Sequence, residues 1–125
     1  MFKSTLWEKD EYGYYVSNLN GITFKVTEKV ANNNKALDYA KHIAELYPDK
    51  KDAIESFLAE GIHHFLEDRY HLTKDEIKSK LNEPYIQIIT ERYGVVVWLN
   101  HDLDEHIYEV EFINDLEPVR TGADG

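Results

Sequence analysis

Residues 93–113, Tyr93-Gly94-Val95-Val96-Val97-Trp98-Leu99-Asn100-His101-Asp102-Leu103-Asp104-Glu105-His106-Ile107-Tyr108-Glu109-Val110-Glu111-Phe112-Ile113, decide the fold. The stretch opens as a near-continuous apolar run, passes through a polar tip and returns as a strict apolar/polar alternation. That pattern predicts a β-hairpin whose first arm is buried on both faces and whose second arm shows one face to water. Side chains alternate along a strand, so Tyr108, Val110 and Phe112 point one way and Ile107, Glu109 and Glu111 the other.

Working outward, Tyr85–Glu91 reads as a further strand, preceded by the stop signal Asn82-Glu83-Pro84. Thr73-Lys74-Asp75-Glu76 is a capping box for a short helix in which Ile77 and Leu81 lie one turn apart. Two longer helices precede it. The first is capped by Asn32-Asn33-Asn34 and carries Ala36, Leu37, Ala40, Ile43, Ala44 and Tyr47 on one stripe. Pro48 is expected to stop it. The second starts from Asp49, buries Ile54, Phe57, Leu58, Gly61, Ile62 and Phe65, and runs to about Leu72. Before the helices, Thr5–Glu8, Tyr14–Ser17 and Ile22–Thr27 form a three-stranded meander separated by Asp10–Gly13 and Asn18–Gly21. The tail Thr121–Gly125 is expected to fray. The order βββ-ααα-βββ predicts one α+β domain over residues 1–125: an antiparallel sheet of about six strands with helices on one face.

Cysteine is absent, which excludes a disulfide framework and thiolate zinc sites. No apolar run reaches the length of about 20 residues that spans a bilayer, and no basic-then-apolar leader is present, so a cytoplasmic protein is expected. The net charge of −10 is unevenly placed. Residues 101–125 hold Asp102, Asp104, Glu105, Glu109, Glu111, Asp115, Glu117 and Asp124 against Arg120 alone, a balance of −7. Such a field repels nucleic-acid phosphates and attracts a basic partner.

Candidate chemistry is sparse. His101, Asp102, Asp104, Glu105 and His106 gather nitrogen and oxygen donors at the hairpin tip, the one place where a divalent metal or a metal-dependent enzyme could be built. Their spacing matches neither a helical zinc motif nor a calcium loop, which would need a glycine at its bend. Glu60-Gly61-Ile62-His63 has the form used in pairs by di-iron bundles, and its pair is missing. No nucleophile elbow or glycine-rich phosphate loop appears. The aromatic content is more informative: nine tyrosines and two tryptophans. Tyr12 and Tyr14 flank Gly13 at a turn, and exposed tyrosine beside carboxylates suits a protein-binding surface.

Leu72-Thr73-Lys74-Asp75-Glu76-Ile77, Val95-Val96-Val97-Trp98-Leu99 and Asp104-Glu105-His106-Ile107-Tyr108-Glu109-Val110 carry a resemblance to bacterial immunity-type families of unknown function, small acidic α+β proteins of toxin–immunity systems. The resemblance covers the C-terminal part, from the second helix through Gly125, and brings no catalytic residues with it. It implies a helical middle, a capped short helix and a strand meander, and a toxin as partner. The expectation is a binding protein without catalysis or cofactor, a monomer or weak dimer that holds a basic toxin domain and neither nucleic acid nor membrane. Tyr12 and Tyr14 would anchor that partner, and Asp102, Asp104, Glu105, Glu109 and Glu111 would steer it.

Overall fold

The structure, a computed structural model, describes residues 7–124, apart from the side chains at positions 64, 65 and 67–70. Part of the first expected strand, Thr5–Leu6, and the side chain of Phe65 therefore lie outside the described residues. The chain is α+β, with β1 (Glu8–Lys9), β2 (Tyr15–Leu19), β3 (Ile22–Val26), α1 (Glu28–Ala31), α2 (Asn34–Tyr70), α3 (Lys74–Ser79), β4 (Tyr85–Thr90), β5 (Tyr93–Trp98), β6 (Ile107–Ile113) and β7 (Glu117–Asp124). The strands form one seven-stranded sheet in sequence order.

Three expectations are corrected. The sheet is mixed, because β3 and β4 run parallel, with Thr23 beside Tyr85 and Lys25 beside Gln87. Every other neighbouring pair is antiparallel. The tail does not fray: Glu117–Asp124 pairs with β6 from Ile113↔Glu117 to Ile107↔Asp124. It lacks apolar alternation because it is the edge strand, and Val119 is extruded as a β-bulge between Pro118 and Arg120. Finally, Pro48 does not end a helix. It sits inside α2, a single helix of 37 residues, about 55 Å long at 1.5 Å per residue.

A proline inside a helix removes one N–H, and here the carbonyl left without its partner is that of Ala44, four residues back. The side chain of Asn20 supplies the missing donor: its Nδ2 bonds Ala44 O at 3.0 Å. Asn20 can reach it because Asn20-Gly21 is the two-residue turn between β2 and β3, with φ of 55° and 80°. Asn and Gly adopt that left-handed pair most readily. The buried stripe keeps its helical phase across the proline, from Ala40, Ile43 and Tyr47 to Ile54, Leu58, Ile62 and Leu66. Farther along, α2 crosses β7 so closely that a Cβ on Gly61 would come 2.5 Å from Thr121 Oγ1.

The other caps follow the sequence. Thr73 and Glu76 bond each other's backbone N–H groups at the start of α3, and Asn33 Oδ1 accepts from Ala36 N–H at the start of α2. Between helices and sheet lie the fully buried Phe24, Ile86, Ile88, Val96, Trp98, Tyr108, Val110 and Phe112. The helices pack on this side through contacts of α1 with β3 and β4 and of α2 with β4, β6 and β7. Among the described residues, no helix is long and apolar enough to cross a membrane.

The bond across the proline makes a test. Asn20→Gly keeps the turn's backbone preference and removes only the donor, so urea unfolding should show a loss of roughly 1–2 kcal/mol. In a Pro48→Ala background, which restores the N–H, the same substitution should cost much less. Equal costs in the two backgrounds would mean that Asn20 does not compensate for the proline.

Candidate functional site

The side of the sheet away from the helices carries no covering layer among the described residues. Strand register places Val16, Thr23, Lys25, Tyr85, Gln87, Val95, Val97, Glu109, Glu111, Arg120 and Gly122 on it. Val95 and Val97 are only 7% and 4% exposed, yet neither belongs to the core between sheet and helices. Longer neighbours shield them: Gln87 and Glu111 flank Val95, and Tyr85 and Glu109 flank Val97. The first arm of the hairpin is thus buried on both faces, on one side by helices and on the other by the side chains of adjacent strands.

Polar groups on this face are unequally matched. Glu111, its side chain 13% exposed, accepts from Tyr93 Oη at 2.6 Å and from Arg120 Nε and Nη2 at 2.8 and 2.5 Å. These bonds, that from Tyr93 foremost, hold its carboxyl below the ordinary range. The same bond pushes Tyr93 up to about 12. Lys25 lies over the Tyr85 ring, its Nζ 4.3 Å from the centroid, a cation–π contact. Burial, and then the proximity of Tyr14 and Glu109, raise Tyr85. Glu109 is half-buried and enters no hydrogen bond or ion pair among the described residues. Burial first, then the carboxylates of Glu111 and Asp124, raise its pKa, with only Arg120 opposing.

The hairpin tip is not a free solvated loop. Asp102 N–H bonds Lys80 O at 3.0 Å, and His101 bridges to Leu81. Leu103 packs against the core. His101 Nδ1 accepts from Leu103 N–H at 3.1 Å, and Nε2 lies 2.6 Å from the His106 carbonyl oxygen. Since a carbonyl only accepts, the proton is on Nε2. The Asp104 side chain is 4% exposed and accepts from Tyr108 Oη at 2.7 Å and His106 N–H at 2.9 Å, with His106 Nδ1 at 3.0 Å from Oδ2. Burial acts to raise its carboxyl, but the bonds from Tyr108 and His106 outweigh it and hold the group below the ordinary range.

The expected site residues therefore do not form one patch. Asp102 and Glu105 are exposed on the 99–106 segment, at the end of β5. Tyr12, 78% exposed, stands in the β1–β2 turn at the opposite end of the strands and toward the other edge of the sheet. Tyr14 lies near Tyr85. The Asp104 side chain is turned inward and positions the loop. Glu111 is bound within the face, and of the expected carboxylates only Glu109 sits on the open face without a partner. Sequence reasoning missed Lys25, Tyr85, Val97 and Arg120. The alternation of Tyr85 with Ile86 and of Gln87 with Ile88 was the available signal that Tyr85 faces away from the core.

The donors of the hairpin tip are bonded within the protein. Both ring nitrogens of His101 and both oxygens of Asp104 are engaged inside the loop, and no group of three or more His, Asp or Glu side chains that could hold a metal ion occurs among the described residues. Glu60, of the Glu60–His63 motif, pairs with Lys74. Comparison with protein-family models, with curated proteins and with solved structures found no match to this chain.

Loop and strand are coupled through Asp104, which gives a pH-dependent prediction. A carboxyl held low stabilises the fold above the ordinary aspartate range and loses that contribution as pH falls through its depressed value. Asp104→Asn should cost roughly 1–3 kcal/mol at pH 7, and its stability curve should converge on that of the wild type in acid. Parallel curves from pH 7 to pH 3 would contradict the assignment.

Proposed function

We propose that this protein is a non-catalytic binding protein of the immunity type, acting in the cytoplasm as a monomer or weak dimer, that holds and neutralises a basic toxin domain. The observation that carries the proposal is the charge of the open face. Register places the acids Glu8, Glu109, Glu111 and Asp124 there against the bases Lys25 and Arg120. Lys25 and Arg120 are committed to Tyr85 and Glu111, while Glu109, beside Glu111 and Asp124, has no bonded partner among the described residues. An uncovered sheet face with tyrosines, buried valines and excess negative charge offers rigid contact area and electrostatic attraction to a cationic protein. The same field disfavours nucleic acid and anionic membrane. The resemblance stated from the sequence points the same way.

In this reading Asp102 and Glu105 steer association, Tyr12 and Tyr14 contribute contacts at the far end, and the open face forms the centre. Capture from the native cell with the tagged protein should recover one dominant, strongly basic partner, encoded beside this chain and released by high salt. Replacing Asp102 and Glu105 together with lysine should lower the association rate about tenfold at low salt and flatten its salt dependence. An acidic partner, or equal binding at low and high salt, would overturn the proposal.

A further inference from the structure

Across the open face, four residues stand in direct register on successive strands: Tyr85 on β4, Val97 on β5, Glu109 on β6 and Gly122 on β7. Neighbouring strands lie about 4.8 Å apart, so Tyr85 and Glu109 are about 10 Å from each other with only a valine between them. Val97 is at one side of a shallow depression that runs past Tyr85 and Lys25 to Glu83, Leu99 and Asn100, with Glu109 outside its lining on the neighbouring strand. At the far end, Glu109 lies against Gly122. A Cβ there would come 3.1 Å from Glu109 Cγ and Oε1, so the missing side chain gives the carboxylate its resting place on the sheet. The row thus presents an aromatic ring, an apolar floor and a carboxylate.

We infer that this row seats one lysine or arginine side chain of the basic partner, its aliphatic stem on Val97 beside Tyr85 and its charge on Glu109. The inference rests on the binding function proposed above and names the group that the face takes. Four observations support it. Lysine and arginine carry an apolar stem and a charged head, and this row has the same order of chemistry. Tyr85 already accepts a cation on its ring from Lys25. Neither Lys25 nor Arg120 bonds Glu109, so among the described residues no cation of the open face fills the place. Burial and two carboxylate neighbours raise Glu109, and an incoming cation would relieve that penalty. Glu111, one pair along the same strand, shows the matched state: with Arg120 and Tyr93 upon it, it is held low.

The test uses the full chain and an octalysine peptide at low salt, followed by amide and valine-methyl NMR. The Val97 methyl and Gly122 amide signals should be among the most shifted. Glu109→Gln should weaken the peptide about fivefold, the size of one partly buried ion pair, whereas Glu105→Gln should change it less than twofold. Shifts confined to residues 99–106, or an effect of Glu109→Gln no larger than that of Glu105→Gln, would overturn the inference. A second readout needs no ligand. Ionising a carboxyl whose folded pKa is raised destabilises the free protein once pH passes that value, so Glu109→Gln should raise Tm at pH 7, by roughly 1–3 °C. A fall in Tm would show Glu109 bonded within the free protein and would also overturn it. The two proposals fail separately. A basic protein partner that binds wild type and Glu109→Gln equally removes the seat and leaves the function. Octalysine on the seat with no basic protein captured removes the function and leaves the seat.

Discussion

The parallel pairing of β3 with β4 is the constraint on which the rest of the structure depends. Parallel neighbours cannot be joined by a tight turn; the chain must leave the sheet, travel its length and return. Residues 27–84 make that journey and contain all three helices, so the helices fall on one side of the sheet. The large side chains of that side, Trp98, Tyr108, Phe24 and Phe112, bury completely beneath them. The other side keeps an array in which short valines are shielded by longer neighbours. A sheet face with no helix on it among the described residues is thus a consequence of one topological choice at the centre of the sheet.

That choice requires a long crossing element, and the chain builds it through a proline. An interior proline costs a helix about 3 kcal/mol when nothing compensates. Here the turn between β2 and β3 provides the compensation, since Asn20 donates to the carbonyl that Pro48 leaves open. The helix and the sheet therefore support each other where they would otherwise conflict. Gly61 plays the complementary part near the other end of α2, allowing the helix to lie directly on Thr121 of the edge strand.

Much of this was legible in the sequence, and the misses have physical causes. The 93–113 hairpin, the meander and the capping box are local patterns whose signals lie within a few residues of one another. Pro48 reads as a stop because the donor that rescues the helix lies 28 positions away in sequence, in another element; the unbroken phase from Tyr47 to Ile54 was the clue. The edge strand β7 escaped because an edge needs no apolar alternation. The acidic residues were correctly seen as a concentration of charge, but sequence does not tell a matched carboxylate from an unmatched one. Asp104 finds Tyr108 four residues away, Glu111 finds Tyr93 and Arg120 on the strands at either side, and Glu109 finds neither.

The contrast between Glu109 and Glu111, two residues apart on one strand face, holds the account together, and it can be measured in the free protein. Side-chain carboxyl carbon-13 NMR, with pH as the variable, reports each group separately. Glu109 should titrate above the ordinary glutamate range and Glu111 below it, with Arg120→Gln moving Glu111 upward. If the two titrate together at the ordinary value, or in the reverse order, the open face holds no unmatched carboxylate and the central claim is contradicted.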